Sequence, residues 1–324
     1  MGSAPVRRAA PRRCGCPTAA RTRRSPITPS IAEFLTTWSF DPVAAAAIAI
    51  GAVLYGWGLG AVARRGGSWP AWRAWCFYLL GLGSFVWVQF GFLGTWSHDL
   101  RWAFTTRIAL LIFLVPMMVA LGAPIGLMRA AFGPRGVEVL EAVLRSRPLR
   151  LMGNAIFAPL VPFFGFLIFL TPLAAPLRLD PGWSVAITLL VPFAGLLITL
   201  PIVEDTHNRS STFIIFEFLL ALVELLLDAI PGILLRLNGS VLDGVAAATH
   251  TVAGAALPHW FPAPLHDQHL SGDFLWFLAE IADLPVIIAL FTRWSRVDRR
   301  DAKQVDDLSD EEYEAAVRAH LGQS

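Results

Sequence analysis

The stretch STFIIFEFLLALVELLLDAIPGILL, residues 211–235, decides the fold of this chain. It is almost wholly apolar apart from the carboxylates Glu217, Glu224 and Asp228. A helix of about 20 apolar residues matches the ~30 Å hydrocarbon core of a bilayer. At ~100° per residue, the spacing of these acids places them within a ~40° sector of such a helix. The stretch therefore predicts a transmembrane helix with one acidic face.

Comparable apolar blocks recur along the chain. Of its 324 residues, 55% are hydrophobic and 15% are charged, a balance that favours a membrane protein over a soluble one. The predicted spans lie at 43–63, 74–96, 108–128, 151–177, 181–203, 211–235 and 274–292. The predicted fold class is therefore all-α, a polytopic transmembrane helix bundle of about seven spans.

Arginines indicate how this bundle lies in the membrane. They cluster after the first, third and seventh predicted spans, at Arg64, Arg65, Arg73, Arg129, Arg135, Arg145, Arg147, Arg150, Arg293, Arg296, Arg299 and Arg300. These segments share one face, which the positive-inside rule makes cytoplasmic, so the C-terminus is predicted to be cytoplasmic. The seven arginines before residue 32 contradict this orientation. Basic clusters between apolar blocks suit membrane lipid and indicate no nucleic-acid partner.

The chain divides into three predicted regions. Residues 1–37 are predicted to be a disordered tail rich in Arg, Pro and Ala, and 38–295 to be the transmembrane bundle. Residues 296–324 are predicted to be a cytoplasmic tail with a short helix at 313–321. Within the bundle, an extended outer loop is predicted at 237–272, and loops of that length are often functional.

Carboxylates within the spans are the first candidates for function. Glu280 and Asp283 give the last span an acidic face, with Asp273 at its start. A carboxylate at the centre of a membrane helix costs ~2.5–3.5 kcal/mol on insertion scales, so it needs a partner. The two faces are expected to pair through Arg107, His207, a metal ion or protons. Structural salt bridges and ion handling both fit. The intramembrane acidic candidates are Glu217, Glu224, Asp228, Glu280 and Asp283.

A second group of candidates precedes the last span. Imidazole and carboxylate groups suit divalent copper or zinc, and a His-x-x-His spacing can converge on one ion if the backbone turns or is helical. A solvent-exposed histidine pair is the alternative. The candidate metal ligands are His266, Asp267, His269 and Asp273, with His250 or His259 as a further position. No phosphate loop, nucleophile elbow or HExxH motif is present, so the sequence does not predict an enzyme.

Several motifs resemble those of one known family. They are Trp38-Ser39-Phe40-Asp41-Pro42, Ala120-Leu121-Gly122-Ala123-Pro124, Asp267-Gln268-His269-Leu270-Ser271-Gly272 with Trp276, and Arg293-Trp294. Over about residues 38–301 the sequence resembles the CtaG-type cytochrome c oxidase assembly factors, seven-span bacterial membrane proteins. The resemblance implies a role in assembling the oxidase in the bacterial cell membrane. It also implies oxidase subunits as partners and copper as the cofactor delivered.

The sequence departs from that family at the start of the third span. The resemblance implies a histidine pair there, but the chain reads Phe104-Thr105-Thr106-Arg107-Ile108. If those histidines bind copper in the family, this chain lacks that half of the site. Its acidic faces or loop histidines then substitute, or the protein acts as a membrane scaffold. The alternative function is a proton- or ion-coupled transporter that uses the acidic residues of spans six and seven.

Overall fold

A computed structural model describes residues 29–152, 157, 160–204, 211–244 and 258–306. Every regular element within these ranges is helical, as the sequence predicts. The α-helices are α1 (Ile31–Thr36), α2 (Pro42–Arg64), α3 (Ala71–Trp75), α4 (Gly83–Phe90), α5 (Phe92–Trp96), α6 (Arg101–Ala109), α7 (Val115–Ala120), α8 (Pro124–Ala131), α9 (Pro134–Leu144), α10 (Arg147–Met152), α11 (Leu160–Leu167), α12 (Ala174–Leu179), α13 (Pro181–Glu204), α14 (Ser211–Leu237) and α15 (Pro264–Asp306). The π-helical segments Cys76–Leu82 and Leu110–Leu114 join α3 to α4 and α6 to α7, and a 3-10 turn, Ile168–Leu170, follows α11.

Five of these helical segments are long and apolar enough to cross a bilayer, counted over the described residues. They are Pro42–Arg64, Ala71–Trp96, Arg101–Ala120, Pro181–Leu200 and Phe218–Leu237. They correspond to the first, second, third, fifth and sixth predicted spans. The structure is therefore the polytopic helix bundle that the sequence predicts, but a count of seven spans is not confirmed.

The predicted fourth span, 151–177, is not one continuous helix where it is described. Helix α11 and its 3-10 turn end at Thr171, whose backbone is extended with φ −115° and ψ 159°. The residue after Thr171 is Pro172, and a proline disfavours the helical conformation of the residue before it. The chain resumes helical structure in α12. The residues at 153–156 and 158–159 lie outside the described ranges.

The predicted seventh span lies inside α15, which is 43 residues long. At ~1.5 Å per residue such a helix extends ~65 Å, about twice the thickness of a hydrocarbon core. Because α15 begins at Pro264, the prediction of an extended loop at 237–272 is wrong over its last nine residues, 264–272. Proline is well suited to the first helical turn, where its missing N–H would have no partner. The helix predicted at 313–321 lies outside the described residues.

The predicted disordered tail, 1–37, is wrong at its C-terminal end because α1 is folded there. Ser30 and Glu33 form a capping box, in which the Ser30 N–H donates to Glu33 Oε2 at 2.7 Å and the Glu33 N–H donates to Ser30 Oγ at 3.2 Å. Hydrogen bonds from the Ser30 backbone and side chain to the Glu33 carboxylate lower the pKa of Glu33. Phe34 stacks on Phe92, and Trp260 Nε1 donates to Glu33 Oε1 at 3.1 Å. Helix α1 is therefore docked on the bundle.

The segment Arg101–Ala120 is the central helix of the bundle. Its apolar window is 72% buried, against 17–44% for the other four candidate spans. Leu111 within this segment is fully buried, as are Leu100, which precedes it, and Leu275 of α15. Its neighbours therefore separate this segment from lipid.

Helices α14 and α15 cross at two glycines. A Cβ on Gly232 would lie 2.8 Å from the carbonyl oxygen of Gly272, and a Cβ on Gly272 would lie 2.5 Å from that of Gly232. Both distances are too short for a side chain. Small residues that allow backbones to approach are typical of helix crossings in membranes. These glycines set the separation at which side chains of α14 and α15 meet.

We predict that Gly272→Ala lowers the free energy of unfolding by about 1–3 kcal/mol, the usual cost of overpacking, because its methyl group meets backbone atoms of α14. Unfolding of the detergent-solubilised chain would be followed by loss of helical circular dichroism. Gly165→Ala in α11 is the matched control, since a Cβ there meets no atom within 4 Å. Equal loss of stability in both variants would contradict a tight crossing.

Candidate functional site

Three carboxylates meet inside the bundle, and we call Glu224, Asp228 and Asp283 the acidic triad. Glu224 and Asp228 are four residues apart, about one turn, on α14, and Asp283 lies on α15. One carboxylate oxygen from each lies within 4.8 Å of those of the other two. Among the described residues, it is the one group of three or more His, Cys, Asp or Glu side chains arranged to hold a metal ion.

Asp228 and Asp283 of the acidic triad are buried and Glu224 is half-buried, and three of the carboxylate oxygens lack a hydrogen-bond partner among the described residues. Asp228 is 0% exposed and Asp283 is 7% exposed. Both carboxylate oxygens of Asp228 and Oδ2 of Asp283 have no hydrogen-bond partner in the described part of the chain. The charged groups whose electrostatic fields reach Glu224 and Asp228 are other carboxylates of the triad. Because a buried charge is costly when unpaired, protons or a cation must neutralise this group.

The structure brings together members of both acidic faces that the sequence predicts, but not all of them. Glu280 accepts a hydrogen bond from Trp276 Nε1 on its own helix and is not a member of the triad. Asp273 is about half exposed and its Oδ1 lies 3.1 Å from Arg236 Nε. The side chain of Glu217 lies outside the described part, as does His207.

Arg107, which the sequence suggested as a counter-charge for the acidic faces, instead donates hydrogen bonds to neutral side chains. Its Nε donates to Gln89 Oε1 at 2.7 Å, and its Nη2 donates to Thr188 Oγ1 at 2.9 Å. A third bond runs from Nη1 to Ser97 Oγ at 3.2 Å. The side chain is 3% exposed and joins the central helix to its neighbours. Arg107 is therefore not the partner of the acidic triad.

A second buried polar assembly lies at one end of the bundle, where Asp243 bridges two arginines. Arg101 donates to its carboxylate through Nε at 2.7 Å and Nη2 at 2.6 Å, a bidentate pair. Arg178 Nη2 lies 3.3 Å from Asp243 Oδ2, and Arg178 Nη1 donates to the carbonyl oxygen of His98 at 2.6 Å. We call His98, Arg101, Arg178 and Asp243, together with Asp267, the end network.

Asp267, a predicted metal ligand, instead caps the central helix. Its Oδ2 accepts from the Arg101 N–H at 2.8 Å and its Oδ1 from the Trp102 N–H at 3.0 Å. Leu100, at the N-cap position of α6, makes no side-chain cap, so these N–H groups depend on α15. Burial raises the pKa of Asp267, and the hydrogen bonds and nearby arginines oppose that rise. Burial also lowers the pKa of Arg178, which the Asp243 carboxylate opposes.

The remaining predicted metal ligands lie on the first turns of α15 and do not form a common group. His266 is exposed, whereas His269 Nε2 donates to the carbonyl oxygen of Asn238 at 3.0 Å. His269 and Asp273 follow His266 by three and seven residues, so the three share a helix face. Asp267 lies on a different face of α15, from which its side chain contacts α6. His259 is exposed, and His250 lies outside the described residues.

Sequence reasoning missed Arg101, Arg178 and Asp243, and it gave Gln268 only as part of a motif, without a role. Gln268 accepts from the Leu242 N–H at 2.8 Å and donates to the carbonyl oxygen of Ser240 at 3.0 Å, which secures the turn after α14. One signal was present. Arg101 and Arg178 lie in connections between predicted spans that face the outer side of the membrane. The positive-inside rule expects few arginines on that side, so it does not explain these two. An arginine at that end indicates a buried acidic partner.

The apolar helices and the two polar assemblies within the bundle define the class of protein: a polytopic helical membrane protein with buried polar side chains. The chain belongs to the cytochrome c oxidase caa3 assembly factor family, Caa3_CtaG, whose family model matches residues 53–297. The resemblance read from the sequence motifs is thereby confirmed.

Curated relatives come from mycobacteria. Uncharacterised proteins of Mycobacterium bovis and Mycobacterium tuberculosis are each 29% identical over 301 residues, and one of Mycobacterium leprae is 27% identical over 311 residues. Each alignment covers 89% of this chain and 44% of the relative. The chain therefore spans less than half the length of these relatives. No solved structure matches it.

We predict that Asp243→Ala lowers the free energy of unfolding by about 3–5 kcal/mol, because it leaves two buried guanidinium groups without their shared carboxylate. Asp273→Ala is the matched control. It breaks an Asp–Arg pair whose side chains are 49% and 48% exposed, and such pairs contribute about 0–1 kcal/mol. Denaturant titration in detergent measures both. A smaller loss for Asp243→Ala than for Asp273→Ala would contradict the structural role of the end network.

Proposed function

We propose that this chain assists the assembly of a caa3-type cytochrome c oxidase as a non-catalytic, multi-pass protein of the bacterial cell membrane. The observation that carries the proposal is the family match over residues 53–297, which extends from α2 into α15. Oxidase subunits are its proposed partners. The helical bundle supports this proposal, because an assembly factor for a membrane enzyme must meet its subunits within the bilayer.

The proposed orientation places the end network on the outer face of the membrane. Arg65 and Arg129 belong to the opposite end of the bundle. Arg65 directly follows α2, and Arg129 lies on α8, which follows the central helix. The positive-inside rule makes that end cytoplasmic, and it places the C-terminus there as well. His266 and His269 then lie at the outer face, beside the end network.

Copper handling is the finer part of the proposal, and His266 and His269 are its candidate ligands. They are three residues apart on one face of α15, and His266 is exposed. The hydrogen bond from His269 Nε2 to Asn238 orients the imidazole and leaves Nδ1 as the nitrogen for a metal. Asp267 already accepts two backbone N–H groups, so we assign it to structure rather than to copper.

Deleting the gene in a bacterium with a caa3-type oxidase is expected to reduce oxidase activity and the amount of its subunits in the membrane. The physical reason is that an incompletely assembled membrane enzyme leaves polar groups unpaired and is degraded. Oxygen consumption, haem a absorbance and immunoblots measure the effect. Re-expression of the full chain should restore all three readouts. Unchanged activity and subunit levels in the deletion strain would overturn the proposed function.

Copper binding is tested on the purified full chain by competition with a chromophoric Cu(I) chelator. We expect His266→Ala/His269→Ala to weaken Cu(I) binding by at least about tenfold, since even outer-shell changes at metal sites cost that much. His259→Ala is the matched control because His259 is an exposed histidine outside α15. Equal affinity of all three proteins would refute copper handling at α15 and leave the assembly role standing.

A further inference from the structure

The acidic triad lies at the middle of the bundle, far from the end network. Residue 228 is ten positions after Phe218 and nine before Leu237, the ends of its candidate span. Asp228 is 0% exposed, and neither of its carboxylate oxygens has a hydrogen-bond partner in the described part of the chain. A fully buried carboxylate that lacks a donor and lies beside two further carboxylates must be neutralised by a proton or by a bound cation.

The crossing of α14 and α15 explains why these carboxylates meet. Gly232 lies one turn beyond Asp228, and it packs against Gly272 so closely that neither position has room for a Cβ atom. Ala279, a small residue of α15 between Gly272 and Asp283, is fully buried. The two backbones therefore hold acids of α14 and α15 at a short and fixed separation.

We propose that Glu224, Asp228 and Asp283 bind one divalent cation between α14 and α15. This inference goes beyond the assembly role and does not rest on it. An oxygen-ligated cation has ligand distances of about 2.0–2.6 Å, so the oxygens that surround it lie up to about 5 Å apart. One carboxylate oxygen from each member of the triad lies within 4.8 Å of those of the other two.

The chemistry of the donors defines the class of cation. Three carboxylates supply only oxygen, which suits Mg²⁺, Mn²⁺ and Ca²⁺, whereas imidazole ligands suit copper and zinc. The triad is therefore a different site from the histidines of α15. In the described part of the chain no salt bridge joins an arginine, lysine or histidine to these acids.

Manganese is the probe for this site because free Mn²⁺ has a six-line paramagnetic resonance spectrum that weakens on binding. The purified full chain in detergent is titrated with Mn²⁺ and should bind one equivalent. Asp228→Asn, Glu224→Gln and Asp283→Asn are each expected to weaken binding by at least about tenfold. Asp298→Asn is the matched control, since it removes an exposed carboxylate from the same helix, α15, and should bind like the wild type.

Circular dichroism and gel filtration first establish that each variant is folded and monodisperse. If Asp228→Asn is not, the other two variants carry the comparison, because each removes a different ligand. Two results would overturn the proposal. One is a wild-type chain that leaves the free Mn²⁺ signal unchanged, as expected if protons neutralise the triad. The other is binding that all three triad variants retain at wild-type affinity. Neither result bears on oxidase levels in the deletion strain, so the two proposals fail separately.

Discussion

The carboxylate of Asp267 joins two distant parts of the chain and satisfies the first backbone N–H groups of the central helix. These groups are buried away from water, so each polar group must find a partner within the protein. The same constraint explains the bridge from Arg101 to Arg178 through Asp243. Together these contacts connect four segments that follow or precede membrane helices. The position of the central helix depends on them.

The end network and the acidic triad differ in how their charges are balanced. The end network contains arginines and aspartates in contact, so its charges cancel within the chain. The triad contains carboxylates alone, and Asp228 lacks hydrogen-bond donors among the described residues. Buried ion pairs are mainly structural, whereas a buried group of one charge sign must be neutralised by protons or by a bound cation. This difference led us to assign structure to one assembly and cation binding to the other.

Arg107 lies where this chain departs from the family motif at the start of the third span. The resemblance implies histidines at the start of the third span, where this chain has Arg107 nearby. A guanidinium has hydrogen-bond donors but no lone pair for a metal, and this one donates to Gln89, Ser97 and Thr188. The central helix is thus tied to its neighbours at this level by hydrogen bonds. The copper site that we propose lies on a different helix, α15.

The sequence alone determined that the chain is an all-helical membrane protein, because the length and apolarity of a span are local properties that one segment reveals. It also determined that Glu224 and Asp228 share a helix face, since their spacing fixes their relative direction. Only the tertiary structure decided that Asp283, and not Glu280, completes their group, and that Asp267 caps a helix 166 residues away along the chain. These outcomes depend on the rotation and separation of packed helices. Such quantities arise from contacts between distant segments, such as the glycine crossing of α14 and α15, and no single stretch of sequence contains them.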